Sequence, residues 1–124
     1  MQLHSITYTS VASYALSKAD LEHLLSTARK RNLEQHITGV LLYVEGRFMQ
    51  YLEGPKAGLE VVLPYIKSSP MHHHLDFQNM KAMDAREYEA WSMAYVTPDD
   101  PNGAPSLSSD MTQFLNQTSR QVLD

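Results

Sequence analysis

Two apolar runs joined by a very short turn constrain the fold of this 124-residue chain more than any other feature. The runs cover residues 37–44 and 47–53, and Glu45-Gly46 between them favours an antiparallel hairpin. Gln50 lies in the second run, among residues otherwise suited to burial. A buried primary amide costs roughly 1–3 kcal/mol for each polar group left without a partner. We therefore expect Gln50 to face something polar, and a bound ligand is one candidate.

Periodic apolar positions on either side of this hairpin predict the remaining elements. In chain order we expect a strand around residues 3–8, a helix from the N-cap Ser17 to about Asn32, the two hairpin strands, a helix over 55–68 interrupted or bent at Pro64, and strands over 73–82 and 87–96. The order β-α-β-β-α-β-β is that of a ferredoxin-like α+β sandwich. Both helices then lie on one face of a mixed sheet.

The C-terminal part of the chain differs in composition. Residues 97–108 are rich in Pro, Asp, Asn, Gly and Ser, which predicts a linker. The expected division is a domain over 1–96 and, over 97–124, a linker with a short helical appendage from about Ser109. A sheet with helices on one face needs a cover on the other. We expect the appendage to supply part of that cover and a homo-oligomer to supply the rest.

Charge and composition exclude several classes of function. The net charge is −4, without a long basic run, which disfavours sequence-independent binding to nucleic acid. The chain has no cysteine, so it forms no disulfide and uses no thiolate chemistry. No apolar run approaches the roughly 20 residues that span a bilayer, and no signal peptide is evident. We expect a soluble cytoplasmic domain with no direct nucleic-acid or membrane partner.

Three neutral polar residues form a candidate binding set: Tyr8, Asn32 and Gln50. In the predicted topology the first and third strands are neighbours, so Tyr8 and Gln50 could point together into the gap between the helices. A phenol and two amides suit a flat heterocycle with carbonyl and ring-nitrogen edges. They suit hydrolysis poorly, because hydrolysis needs a nucleophile with a base or a metal. The alternative is purely structural: a satisfied tyrosine, a helix-end asparagine and an edge-strand glutamine.

Several short motifs resemble, in order and spacing, those of the BLUF family of blue-light receptors, which use FAD. They are Tyr8-Thr9-Ser10, Asn32, Ile37-Thr38-Gly39, Phe48-Met49-Gln50, Leu52-Glu53-Gly54 and Trp91-Ser92-Met93. The likeness covers residues 1 to about 96. It implies a non-enzymatic photoreceptor that binds oxidised flavin without a covalent bond. Light then rearranges a Tyr-Gln-flavin hydrogen-bond network, and a stronger bond to flavin O4 shifts absorption to the red.

The resemblance also implies a role for each matching residue. Tyr8 corresponds to the tyrosine that gives an electron and then a proton toward the excited flavin, and Gln50 to the glutamine between that tyrosine and the flavin N5/O4 edge. Asn32 corresponds to the asparagine near O4/N3. The remaining implied roles are ring contacts for Leu24 and Ile66, a contact near O2 or the ribityl chain for His72, and signalling for Trp91 and Met93.

The chain departs from the family pattern at several cofactor contacts. Ser69 and Met71 stand where the family usually has an acidic residue and an arginine. Tyr65 and Ala28 replace an arginine and a serine found in some members. We therefore expect weaker flavin affinity, or poorer discrimination among FAD, FMN and riboflavin. Candidate replacements for the phosphate contacts are Lys30, Arg31 and Lys67, whose alternative role is that of solvated residues at a helix end.

Other interpretations are weaker but stay open. The three histidines at 72–74 resemble a metal cluster, but neighbouring strand residues point to opposite faces, so we predict no metal site. Glu53 is interpreted as a strand-end or turn residue. An acylphosphatase-like enzyme is disfavoured because no glycine-rich loop precedes the first helix. A light-blind interaction module that has lost its flavin is the main alternative. With no effector domain in the chain, we expect a sensor to act on a separate partner protein or through its own oligomer.

Overall fold

The computed structural model describes residues 2–89, 92–97 and 107–123, with side chains described as far as Asn116. Trp91 and most of the predicted linker lie outside the described residues. The elements are β1 (Leu3–Ala12), α1 (Lys18–Glu34), β2 (Thr38–Val44), β3 (Arg47–Pro55), α2 (Lys56–Ser68), β4 (His72–Phe77), β5 (Lys81–Met83), β6 (Ala94–Val96) and α3 (Ser109–Leu123). None of the helices described could cross a bilayer.

The strands form one mixed sheet in the order β4-β1-β3-β2-β6, with β5 also paired to β1. β2 and β6 are parallel, whereas the other pairs are antiparallel. The ferredoxin-like α+β prediction is confirmed, and Tyr8 on β1 lies directly opposite Gln50 on β3. Because β3 is a central strand, the edge-strand interpretation of Gln50 is wrong.

Local sequence signals account for the ends of the main elements. The Ser17 side chain accepts from the backbone N–H of Asp20, whose carboxylate accepts from the Ser17 N–H, so the predicted capping box is present. Glu45 and Gly46 both have positive φ, at 48° and 80°, which is typical of a two-residue hairpin turn. Pro64 lies inside α2, and the helix continues past it to Ser68.

Each face of the sheet carries its own apolar core, as the alternation of strand side chains requires. On one face, α1 and α2 pack over a cluster that includes Ile6, Leu41, Leu52, Leu59 and Val62. On the other face, α3 contributes Met111, Phe114 and Leu115 to a cluster with Val40, Leu42, Val44, Met49 and Tyr51. The C-terminal helix therefore covers part of the second face, as expected from the sequence.

The predicted strand over 73–82 is in fact two strands that pair with the same neighbour, β1. The register between β1 and β4 shifts by one residue near His74, which has a φ of 55°. An extra residue of this kind changes which side chains share a face. As a result, His72 and Phe77 both contact the ring of Tyr8, although they lie five residues apart.

The predicted strand start at Glu87 is also wrong. Residues 84–89 are irregular, and the described strand β6 begins only at Ala94. The physical reason is that the backbone N–H groups of Glu87 and Tyr88 do not pair with a neighbouring strand. Both donate to the carboxylate of Glu53, at 2.8 Å each.

Candidate functional site

A cavity of about 200 Å³ opens between α1 and α2 above the sheet. The apolar side chains Leu24 from α1 and Ile66 from α2 line it. Tyr8, Gln50 and His72 also line it from the strands. The cavity thus brings together five of the predicted site residues in one mostly apolar space.

A buried hydrogen-bond chain runs along the sheet side of this cavity. The Tyr8 hydroxyl donates to Gln50 Oε1, and Gln50 Nε2 donates to Met93 Sδ at 3.6 Å. Burial raises the pKa of Tyr8 above its ordinary value, so the phenol keeps its proton and remains a donor at neutral pH. Both ends of the Gln50 amide are therefore engaged, one by a strong donor and the other by a weak sulfur acceptor.

His72 is fixed beside this chain in a single tautomer. Its Nε2 lies 2.8 Å from the carbonyl oxygen of Ile66, which can only accept, so Nε2 carries the proton. In the neutral ring, Nδ1 then accepts from the Ser10 hydroxyl at 2.7 Å. No role of its own was predicted for Ser10, although its two-residue spacing from Tyr8 places it on the same face of β1.

Asn32 is buried, but it is not among the residues that line the cavity. Its Nδ2 donates to the carbonyl oxygen of Ser92 at 2.9 Å. One turn earlier on α1, Arg29 Nε donates to the carbonyl oxygen of Met93 at 3.0 Å. Helix α1 thus holds two consecutive carbonyls of the segment that carries Met93. The sequence gave no sign of the contact made by Arg29.

The positions at which the chain departs from the BLUF pattern all lie on the cavity wall. Ala28, Tyr65, Ser69 and Met71 are lining residues, and none of them carries a charge.

Arg31 supplies the cavity with a positive charge. Its guanidinium carbon lies 4.1 Å from the centroid of the exposed Tyr65 ring, a cation–π contact that links α1 to α2. Neither of the other two candidate cations lines the cavity. Lys67 instead lies over the ring of Phe77, and Lys30 is exposed.

The consecutive histidines have separate contacts. His72 is held as described above, and His73 Nδ1 lies 3.2 Å from the Ser13 hydroxyl. Within the described part of the chain, no three His, Cys, Asp or Glu residues are grouped so as to hold a metal ion.

Comparison with known proteins agrees with the fold. Residues 3–94 match the BLUF family, described as sensors of blue-light using FAD. The match covers well over half of the chain. The chain therefore belongs to the BLUF family, the flavin-binding sensors of blue light.

Relatives include photoactivated adenylate cyclase subunits of Euglena gracilis. The beta subunit is 34% identical over 113 residues, which are 90% of this chain and 13% of that relative. The alpha subunit is 38% identical over 87 residues, 70% of this chain and 8% of that relative. The chain thus spans only a small part of these proteins.

Solved structures show the same fold. BlrB, a BLUF protein in its dark state, is 30% identical with a TM-score of 0.79, over 91% of this chain and 83% of that chain. A bacterial light-regulated adenylyl cyclase is 25% identical with a TM-score of 0.79, over 97% of this chain and 34% of that chain.

Proposed function

We propose that this chain senses blue light by binding an oxidised flavin non-covalently in the cavity between α1 and α2. Light would be reported through the chain Tyr8–Gln50–Met93 to a separate partner protein. The observation that carries this proposal is the buried Tyr8–Gln50 hydrogen bond, whose two side chains both line the cavity. Membership of the BLUF family supplies the class of ligand.

The residues present fit the ring system of a flavin. Leu24 and Ile66 offer apolar surface from the two helices, and Gln50 offers an amide that can both donate and accept. Leu24 and Ile66 would contact the ring system, and Arg31 on the same cavity wall would be available to a phosphate of the flavin. When bound, the flavin supplies the absorption of blue light and an excited state that accepts an electron.

The chemistry contributed by the protein centres on Gln50. In the present arrangement its oxygen accepts from Tyr8 and its NH₂ group donates to Met93. Rotation or tautomerisation of the amide would change the group that it presents to the Tyr8 oxygen. Rotation would also remove the donor to Met93, since it turns the amide oxygen toward the sulfur. A change of this kind converts a local hydrogen-bond event into a structural one.

Met93 is the point at which this change would leave the cavity. Its side chain touches Gln50, and its backbone carbonyl is held by Arg29. Met93 also lies directly before β6, which pairs in parallel with β2. We infer that movement of Met93 shifts β6 and alters a surface read by the partner. Trp91, the other predicted signalling residue, remains a prediction.

The relatives named as photoactivated cyclases suggest that the proposed partner is an effector enzyme. We propose a homo-oligomer as the functional assembly, since Thr7 and Thr9 of β1, on the sheet face that carries Met49 and Tyr51, are still partly exposed. Light scattering of the purified protein measures this directly.

Arg31 is the proposed anchor for the phosphate of the flavin. Among the residues that line the cavity, Arg31 alone is a lysine or an arginine. Met71, which also lines the cavity, stands where the family usually has an arginine. Arg31→Leu should weaken binding of FAD and FMN several-fold and leave riboflavin, which has no phosphate, nearly unchanged. Lys30→Leu, the exposed neighbour, is the matched control. Equal losses for all three flavins in Arg31→Leu would refute a phosphate contact.

The proposed function is tested by the visible spectrum of the purified protein before and after blue light. A yellow protein whose absorption shifts reversibly to the red is the expected result. The second candidate, a light-blind interaction module, is favoured by the uncharged residues at the cavity positions Ala28, Tyr65, Ser69 and Met71. A protein that stays colourless when FAD, FMN or riboflavin is added would establish that module and overturn the sensor.

A further inference from the structure

Glu53 is a fully buried carboxylate on the face of β3 opposite the cavity, and it is 0% exposed. Its Oε1 accepts from the Tyr51 hydroxyl at 2.9 Å and from the Glu87 backbone N–H at 2.8 Å. Its Oε2 accepts from the Thr38 hydroxyl and from the Tyr88 backbone N–H, both at 2.8 Å. Each oxygen therefore receives one hydroxyl and one backbone donor. Glu53 lies near the end of β3, as interpreted from the sequence, but the burial of its carboxylate and its four donors were not predicted.

Arg86 closes this arrangement from the other side. Its guanidinium donates to the Thr38 hydroxyl oxygen at 3.0 Å and to the carbonyl oxygens of Glu53 and His36, at 3.3 and 2.7 Å. Because the Thr38 oxygen accepts from Arg86, its own proton is free to point to Glu53. The irregular residues 86–88 are thus clamped to β2 and β3 by charge-assisted hydrogen bonds.

The clamped residues lie a few positions before Met93, the contact of Gln50. Downstream, Asn32 and Arg29 hold the carbonyls of Ser92 and Met93. The approach to β6 is therefore fixed at both ends, by Glu53 at residues 87–88 and by α1 at residues 92–93. A displacement of Met93 moves β6 only if the residues before Met93 stay in place.

We propose that Glu53 is a positioning residue for the light signal. It holds residues 86–88 so that the change at Gln50 and Met93 moves β6 instead of loosening the segment before it. This inference rests on the proposed function. Glu53 lies on the other face of β3 from the cavity, so its role is separable from the photochemistry at Tyr8 and Gln50.

The test compares Glu53→Gln with the wild type. The amide keeps the shape of the side chain but has one acceptor oxygen, so its NH₂ group must oppose either the Glu87 or the Tyr88 N–H. The red shift should keep its size, because the cavity residues are untouched. Amide hydrogen exchange of residues 86–89 in the dark should become several-fold faster. The difference in exchange between light and dark at residues 92–97 should fall at least several-fold.

A second pair of variants keeps the test decisive if Glu53→Gln fails to fold. Thr38→Val removes the hydroxyl that bridges Arg86 and Glu53, and Thr38→Ser retains it. Thr38→Val should reproduce the expected exchange pattern with a normal red shift, and Thr38→Ser should behave as the wild type does. A purely structural role would raise exchange throughout α1 and β1 in step and leave the light-dependent difference in place.

The possible outcomes separate this inference from the proposed function. A light-dependent difference at residues 92–97 that is unchanged in Glu53→Gln or Thr38→Val would overturn the inference. A wild type with no light response would refute the proposed function instead. The clamp is then judged from dark exchange at residues 86–89 alone, where equal rates in Thr38→Val and Thr38→Ser would disprove it.

Discussion

Gln50 and Glu53, two buried polar side chains on β3, differ in charge and in the number of their hydrogen-bond partners. Gln50 faces the cavity, is neutral, and uses its two different ends for one phenol and one sulfur. Glu53 faces the other core, has two equivalent oxygens, and receives four donors. Rearranging the first loses one weak contact to sulfur, whereas rearranging the second leaves donors without an acceptor.

The difference shows how one strand can carry both a switch and its support. An amide can exchange donor and acceptor by rotation, and a methionine sulfur is too weak an acceptor to prevent it. A buried carboxylate with four donors has no such freedom, because any other arrangement leaves a buried donor unpaired. We therefore expect changes at Gln50 to affect the response to light and changes at Glu53 to affect stability and relay.

The largest expected effect is that of Gln50→Leu. This variant should retain bound flavin and lose the red shift completely, because leucine can neither accept from Tyr8 nor change what it donates. Spectra recorded before and after blue light measure the effect. Met49→Leu, the preceding residue on the opposite face, is the control and should respond normally.

Tyr8→Phe sharpens the same prediction from the other partner. It removes the donor to Gln50 Oε1 and, by resemblance to the family, the source of the electron and proton. The red shift should be blocked with flavin still bound. A normal photocycle in either variant would contradict the role assigned to this pair.

The surroundings of Gln50 could largely be predicted from the sequence. The hairpin signal predicted β2 as one neighbour of β3, and the ferredoxin-like topology predicted β1 as the other, which brought Tyr8 and Gln50 together below the helices. The resemblance implied roles for both Gln50 and Met93, but the direct contact between their side chains was not predicted. The register shift at His74 was not predictable, since one extra residue in β4 leaves no mark in the apolar pattern.

The burial of Glu53 was not predicted, although the sequence pattern contained a signal for it. Glu53 shares its face with Met49 and Tyr51, which are buried, so the same alternation that singled out Gln50 also places a carboxylate in a core. Its donors could not be identified from the sequence because two of them are backbone N–H groups more than 30 residues away. The predicted strand start at Glu87 failed for the same reason.

The next largest effect is the loss of stability in Glu53→Ala. The backbone N–H of the buried Tyr88, that of the more exposed Glu87 and the Tyr51 hydroxyl would lose their acceptor, at about 1–3 kcal/mol for each group that stays buried. We expect the free energy of unfolding to fall by about 3–5 kcal/mol, a large part of the roughly 5–15 kcal/mol of a typical domain. Gln50→Leu strands only the Tyr8 hydroxyl and should cost about 1–3 kcal/mol or less. Urea unfolding measures both, with the exposed Glu60→Ala as control.

A larger loss of unfolding free energy in Gln50→Leu than in Glu53→Ala would contradict the roles assigned to the two residues. It would mean that the cavity face holds the fold together and that the Glu53 clamp is replaceable. Equal losses of unfolding free energy would show that Glu53 supports the fold no more than Gln50 does.

The smallest expected effect concerns the protonation of Tyr8. Burial raises the pKa of Tyr8 above the ordinary value of 10.0, so the folded protein binds this proton more tightly than the unfolded chain does. The resulting stabilisation is complete below about pH 10 and is lost as the pH rises toward the folded-state pKa. Each phenol of this kind lowers the free energy of unfolding by at most about 1.4 kcal/mol per pH unit. The measurement is urea unfolding of the wild type and Tyr8→Phe at several pH values from 8 upward.

Subtracting the two curves isolates Tyr8, since the lysines and the other buried tyrosines titrate in both proteins. One of these is Tyr51, whose pKa is raised by burial and by the negative charge of Glu53. The advantage of the wild type over Tyr8→Phe should therefore stay constant up to about pH 10 and shrink above it. Curves that remain parallel beyond that point would show that water reaches the Tyr8 hydroxyl. The Tyr8–Gln50 pair would then lack the dry surroundings that distinguish a switch from an ordinary surface hydrogen bond.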